Sequence, residues 1–177
     1  MRVIAGRYGG RTLHAPRGRA TRPTSDRVRE AVFAILGDVA GARVLEPFAG
    51  TGAMGFEALS RGAAQAAFVD SSGAAVAALR RNLDALGVEA EVRRQDALSY
   101  LRSASRDGRQ YDLVFLDPPY RRASALGREL SPAVALVLAP GARVVAESDR
   151  RAPLELGLEL LDERRYGDTL IRIHGPR

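Results

Sequence analysis

Arg43-Val44-Leu45-Glu46-Pro47-Phe48-Ala49-Gly50-Thr51-Gly52-Ala53-Met54-Gly55 decides the fold. A short apolar strand runs into a turn whose glycines, Gly50, Gly52 and Gly55, spell G-x-G-x-x-G, and a small-residue helix follows through Ala58 and Leu59. Strand, glycine-rich turn and helix in that order open a nucleotide-binding α/β unit. Glycines there allow a tight turn and let the backbone approach a ligand closely. Asp70 ends the next expected strand, residues 66–69, at the spacing of about 20 residues where a carboxylate accepts from ribose hydroxyls. Together these features point to a nucleoside cofactor. They serve nicotinamide dinucleotides as well as S-adenosylmethionine.

Working outward, strands and helices alternate. Val28, Val32, Ile35 and Leu36 recur at helical spacing after Thr24, a candidate cap, and Gly37 stops that helix. Val76, Leu79, Leu83 and Leu86 line a further helix, and Leu98 and Leu101 a shorter one before a loop at 103–109. Further strands are expected near 91–93, 113–116 and 144–146. The helical stretch from Ser124 is expected to break at Pro132, with Ser131 capping a second piece to Leu138, and Pro140-Gly141 reads as a turn. Residues 158–161 and 170–173, joined around Gly167-Asp168, read as a closing antiparallel hairpin. This pattern predicts an α/β, doubly wound, mainly parallel sheet. Residues 1–23 form a basic hairpin or arm, with Gly9-Gly10 as its turn, and residues 24–177 the main domain.

Hydrophobic residues make up 46% and charged residues 27%, an ordinary globular composition rather than a disordered one. No apolar run reaches membrane-spanning length and the N-terminus carries no signal pattern, so a cytoplasmic protein without a membrane partner is the simplest reading. With no Cys there is no disulfide, thiolate metal site or cysteine nucleophile, and no metal is expected. All 27 basic residues are Arg. Residues 1–35 hold eight of them against Asp26 and Glu30, leaving 19 Arg and 19 acids in the rest of the chain. A basic segment on a neutral body points to a polyanion, and Arg suits bidentate phosphate contacts. Arg2, Arg7, Arg11, Arg17, Arg19 and Arg22 are the candidate contacts to it.

The chemistry lies in Asp117-Pro118-Pro119-Tyr120, directly after the apolar run Leu113-Val114-Phe115-Leu116. Two prolines end both strand pairing and helix, which leaves a carboxylate and a ring at the carboxyl rim of a buried strand. Open α/β sheets place their ligands at that rim. An exocyclic amine is a poor nucleophile because its lone pair is delocalised into the ring. Asp117 and a proline carbonyl can accept its hydrogens and Tyr120 can stack on the base. Around the turn, Glu46 would repel a pyrophosphate but attract a cationic methionyl end. Asp96 can accept from an adenine amine, Phe48 offers an apolar wall, and Ala49 and Ala97 complete the cofactor-binding set with Gly50, Gly52 and Asp70. Each also has a structural alternative: Glu46 as a cap, Asp96 as the N-cap of the next helix, Phe48 as core.

Phe48-Ala49-Gly50-Thr51-Gly52, Asp70, Asp96 and Asp117-Pro118-Pro119-Tyr120 resemble the class I S-adenosylmethionine-dependent amino-methyltransferases. Arg2-Val3-Ile4-Ala5-Gly6, Arg22-Pro23-Thr24 with Asp26-Arg27-Val28-Arg29-Glu30, and Glu57-Ala58-Leu59-Ser60-Arg61-Gly62 look like one family within that class. These are the RsmD-type enzymes, which methylate guanine N2 in 16S ribosomal RNA. The resemblance implies a Rossmann-like seven-stranded sheet ordered 3-2-1-4-5-7-6 with an antiparallel C-terminal strand. It implies S-adenosylmethionine as cofactor and, as substrate, rRNA in the assembled or assembling small ribosomal subunit. Carried over from the family, Arg27 pairs the cofactor's carboxylate. The chain departs from the family at Glu46, where Asp is usual, and at Asp70, where Glu is usual. The alternatives are an adenine-N6 methyltransferase of RNA or DNA, an NAD(P)-dependent oxidoreductase, and a non-catalytic RNA-binding protein. His14 and His174 lie outside the expected site.

Overall fold

A computed structural model of the chain describes residues 1–16, 25–119 and 123–176. Arg17, Arg19, Arg22, Thr24 and Tyr120 fall outside the described residues. The strands are β1 (Arg43–Glu46), β2 (Gln65–Asp70), β3 (Glu91–Arg94), β4 (Tyr111–Leu116), β5 (Leu138–Asp149), β6 (Glu159–Tyr166) and β7 (Thr169–Gly175). They form one sheet in the order β3-β2-β1-β4-β5-β7-β6, as the family resemblance implied. The first five are parallel, and β7 runs antiparallel to both β5 and β6. The helices are α1 (Asp26–Leu36), α2 (Ala53–Ser60), α3 (Gly73–Leu86), α4 (Ala97–Arg106) and α5 (Ala123–Ala135).

Side-chain alternation divides the core into two layers. Val44, Phe68, Leu113, Phe115 and Val145 face one layer, with Val32 and Phe33 of α1, Phe56 of α2 and Leu79 of α3. Leu45, Val69, Val114, Leu116, Val144 and Ala146 face the other, with Leu101 of α4 and Leu130 and Val134 of α5. A sheet covered on both faces needs strands that are apolar throughout, which is why β4 reads as a continuous run.

Three elements differ from expectation. Helix α1 is capped by Ser25, whose side chain accepts from the Val28 N–H. Helix α5 runs through Pro132 without a break. The Ser131 hydroxyl donates to the Gly127 carbonyl at 2.8 Å and accepts from the Gly157 N–H, so it is bound inside the helix instead of capping a new one. Strand β5 begins at Leu138, and Pro140-Gly141 is accommodated as an irregularity where the β4 register jumps from Tyr111↔Leu138 to Leu113↔Arg143. In addition, α4 extends to Arg106, and β6 continues through the charged stretch 162–165, where Glu163 meets Arg172 of β7 at 2.9 Å.

The N-terminal residues fold back as a small hairpin, with Arg2 bridged to Thr12 and Val3 N–H bonded to the Arg11 carbonyl at 2.9 Å. Val3 and Leu13 enter the first core layer, at 0% and 2% exposure. Buried Glu57 of α2 accepts from the backbone N–H groups of Ile4 and Ala5, at 2.7 and 3.1 Å, and from Arg61 at 2.7 Å. Ser60 takes the Tyr8 N–H on its hydroxyl and the Arg7 N–H on its carbonyl. Gly6 has φ +80°, and a Cβ there would lie 1.9 Å from the Ser60 carbonyl oxygen. Asn82 of α3 clamps the other strand of the hairpin: its carbonyl oxygen accepts from His14 N–H at 2.7 Å, and its amide donates to the carbonyls of His14 and Thr51 at 3.1 Å. Thr51 belongs to the glycine turn, so hairpin and turn share one buried side chain.

Candidate active site

The carboxyl ends of β1, β2, β4 and β5 meet at one rim. Glu46, Asp117 and Glu147 each lie two residues beyond a first-layer residue, respectively Val44, Phe115 and Val145, so alternation sends all three toward the face covered by α1 and α2. In register, Phe115 pairs with Val145, which brings Asp117 level with Glu147 on the neighbouring strand. Glu46 sits one step lower on the other side, since Val44 pairs with Leu113. Glu147 is the residue sequence reading passed over. Its signal was present: a carboxylate closing the apolar run Val144-Val145-Ala146 at the edge where Asp117 leaves β4.

Two carboxylates hold the glycine turn. The Gly55 N–H donates to Glu46 Oε2 at 2.8 Å, and the Gly50 N–H to Asp70 Oδ2 at 2.9 Å. Asp70 Oδ1 accepts from the Ser72 N–H at 2.8 Å. Gly52, at φ +78°, starts α2 without a side-chain cap. A Cβ at Gly55 would lie 2.4 Å from the Phe68 ring and 2.9 Å from Glu46 Oε2, so strand, turn and carboxylate fit only with glycine there. Phe48 is half-buried against the second layer, and Ala49 is buried. Asp96 Oδ1 accepts from Ser99 N–H at 3.0 Å, so its alternative role as the α4 N-cap is realised, while the residue stays exposed beside buried Ala97. Pro118 is buried and Pro119 exposed; Asp117 exposes part of its surface at the rim while its carboxyl is enclosed near Glu147 and Glu46.

The arginine carried inward is Arg29, not Arg27. Arg29 shares its helix face with Val32, Phe33 and Leu36 and is 0% exposed, whereas Arg27 is exposed. Its Nη2 donates to the Arg2 carbonyl at 2.7 Å and to Asp26 at 2.8 Å. Among the described residues, Nε and Nη1 have no hydrogen-bond partner. Of the surface arginines, Arg2 pairs with Asp26 at 3.1 Å, Arg7 lies over the Tyr8 ring at 5.5 Å, and Arg11 donates to the Ala85 carbonyl. Met1 reaches Thr51 of the glycine turn, so this basic hairpin borders the rim. His14 is on the hairpin, and His174 is buried opposite Val144, away from the rim.

Burial pushes the Glu46 carboxyl up to about 8. The N–H groups of Gly55 and Met54 and the charge of Arg29 resist that rise, and the charge of Asp70 adds to it. Protein around the Asp117 carboxyl, followed by the charges of Glu147 and Glu46, raises its pKa well above the usual carboxylate range. A rim that resists accumulating negative charge is matched to a cation. Glu46 binds its proton more tightly in the folded chain than in the unfolded one. Its stabilising contribution is therefore present at low pH and is lost as pH rises through about 8. The urea midpoint of the ligand-free protein should fall between about pH 5 and about pH 8, and Glu46→Gln should reduce that fall. An identical slope in the variant would contradict this electrostatic picture.

A sequence model of the family described as conserved hypothetical protein 95 matches residues 1–175. The chain is 37% identical to the candidate rRNA methyltransferase YlbH of Bacillus subtilis, over 100% of both chains. It is 34% identical to ribosomal RNA small subunit methyltransferase D of Haemophilus influenzae, over 98% of this chain and 93% of that one. Its fold superposes on a solved candidate methyltransferase, YhhF of Escherichia coli, with a TM-score of 0.85 and 34% identity, covering 100% and 99% of the two chains. With glycine turn, rim carboxylates and basic hairpin all lying within the matched residues, the chain belongs to the conserved hypothetical protein 95 family, the one to which its RsmD-type resemblance pointed.

Proposed function

We propose that the protein transfers a methyl group from S-adenosylmethionine to the exocyclic N2 amine of a guanine in small-subunit ribosomal RNA. The observation that carries this reading is Asp117-Pro118-Pro119 at the rim, level with Glu147 and beside a glycine turn held by Glu46 and Asp70. Membership of a family with relatives named as rRNA methyltransferases supplies the substrate class.

The residues present fit the cofactor. Gly50, at φ +54° and with open space where a Cβ would stand, leaves room for a ligand beside the turn backbone, and the rim's acidic groups favour a cationic group over the pyrophosphate of a dinucleotide. That charge argues against the oxidoreductase alternative. When bound, the cofactor supplies an electrophilic methyl group on a positively charged sulfur. Glu46 and Asp70 would stand at its methionyl and ribose ends, with Phe48, Ala49, Asp96 and Ala97 around its base. Arg29 is better placed than Arg27 to meet the cofactor's carboxylate, being buried with two nitrogens unpartnered among the described residues.

Asp117 accepts a hydrogen from the N2 amine and so turns its lone pair toward the methyl carbon. As the amine takes the methyl group that the cofactor would supply, one N2 proton would leave to Asp117 or to water. A carboxyl with a raised pKa suits that transient acceptance better than one of ordinary acidity. Positioning supplies most of the rest, because the leaving group is already activated. Pro118 and Pro119 fix the carboxylate beyond the strand end, and Tyr120 is assigned to stacking on the base. Arg2, Arg7, Arg11, Arg17, Arg19 and Arg22 are assigned to RNA phosphates of small-subunit particles, and no metal ion is assigned a role.

Asp117→Ala should lower methyl transfer to small-subunit particles by about 10²-fold or more while calorimetry still detects cofactor binding. Transfer at the wild-type rate would remove Asp117 from the chemistry. Replacing Arg2, Arg7 and Arg11 together by Gln should weaken RNA binding. It should also flatten the salt dependence by roughly 0.7–0.9 log units for each phosphate no longer bound. An unchanged slope would make these three arginines purely structural.

A further inference from the structure

We propose that Glu147 is a specificity-determining residue: its carboxylate accepts the N1–H of the target guanine and rejects adenine. The inference rests on the methyl-transfer reading above and deepens it. Its grounds are the placement of Glu147 in the sheet and the hydrogen-bonding pattern of the two purines.

Glu147 sits inside the sheet rather than on a loop. Its neighbour Ala146 pairs with Leu116 of β4, and Glu147 itself pairs with Ile171 of β7, so its backbone is fixed on both sides. The residue is 7% exposed, on the same face as Asp117 and level with it. A buried carboxylate in a fixed strand is a preorganised acceptor, because little freedom remains to be lost when a base meets it. That face also carries the buried Arg29 guanidinium, whose Nε and Nη1 have no hydrogen-bond partner among the described residues. A buried guanidinium with donors to spare on the face of the acidic row is a feature that ligand binding would account for.

Guanine presents two adjacent donors on its Watson–Crick edge, the N2 amine and N1–H. Two neighbouring carboxylates match them one to one: Asp117 on the reacting amine, Glu147 on N1–H. Adenine presents its amine beside N1 as an acceptor, so the same pair would set a lone pair against a carboxylate. A site built to receive a hydrogen bond rejects an analogue lacking it far more strongly than an apolar pocket can. The Asp-Pro-Pro-Tyr turn needs only an amine, so discrimination between bases has to come from a neighbour, and Glu147 is the buried carboxylate level with it.

2-Aminopurine separates the two donors: it keeps the amine at C2 but has an unprotonated N1. Small-subunit particles would be reconstituted with rRNA carrying either guanosine or 2-aminopurine riboside at the modified position, and methyl transfer compared for wild type and Glu147→Gln. Wild type should prefer guanosine by about 10²-fold or more in kcat/KM, and the variant should reduce that preference to about tenfold or less. Loss of rate on both substrates with the preference unchanged would overturn the proposal, leaving Glu147 a structural residue. Should Glu147→Gln fail to bind S-adenosylmethionine by calorimetry, Glu147→Asp decides in its place. An intermediate preference supports the proposal, and an unchanged one overturns it. Absence of any transfer to guanosine by the wild-type enzyme would instead overturn the underlying function, and this proposal with it.

Discussion

Carboxylates held together at a partly enclosed rim are the constraint on which the rest of the structure depends. Removing such groups from water is costly, and placing like charges beside one another adds to the cost. The fold meets that cost with backbone N–H groups from the glycine turn, with Arg29 in the first turn of α1, and by letting carboxyl groups keep their protons. A cationic ligand at such a rim would let these carboxyls give up their protons at lower pH, so ligand binding and rim ionisation are linked.

That constraint explains why the N-terminal residues are built into the body. Glu57 and Ser60 of α2 tie down residues 4–8, while Asn82 of α3 joins His14 to Thr51 in the glycine turn. Helix α1 then lies over the first core layer with Arg29 facing inward and Phe33 against Phe115, ring centroids 5.8 Å apart. A hairpin that carries surface arginines is therefore mechanically continuous with the turn proposed to hold the cofactor. The family block Glu57-Ala58-Leu59-Ser60-Arg61-Gly62 has a physical basis in these contacts: its carboxylate and hydroxyl receive the hairpin, and Arg61 both pairs with Glu57 and stacks over Phe33 at 4.7 Å.

Much of this was legible in the sequence. Hydrophobic periodicity and the glycine turn yield the doubly wound sheet, and the rim position of Asp117 follows from an apolar strand ended by two prolines. The strand order came through family resemblance, because local patterns cannot tell which strands become neighbours. What local reading missed depends on the third dimension. Arg27 and Arg29 look alike in sequence, and only the face shared with Val32 and Phe33 separates them. Glu147 gains its interest from the β4–β5 register. Pro132 signals a helix break, yet tertiary packing and Ser131 carry α5 across it. Pro140-Gly141 signals a turn and is absorbed into a strand as an irregularity.

The rim, on this reading, is a device for presenting one kind of amine to a sulfonium methyl group. The most direct test is mass spectrometry of nucleosides from small-subunit rRNA incubated with the protein and S-adenosylmethionine. N2-methylguanosine, formed in stoichiometric proportion to the particles, is the predicted product. N6-methyladenosine from a properly folded enzyme would contradict the base assignment. Tight binding of NAD with no binding of S-adenosylmethionine and no methylated nucleoside would contradict the methyl-transfer reading at its root.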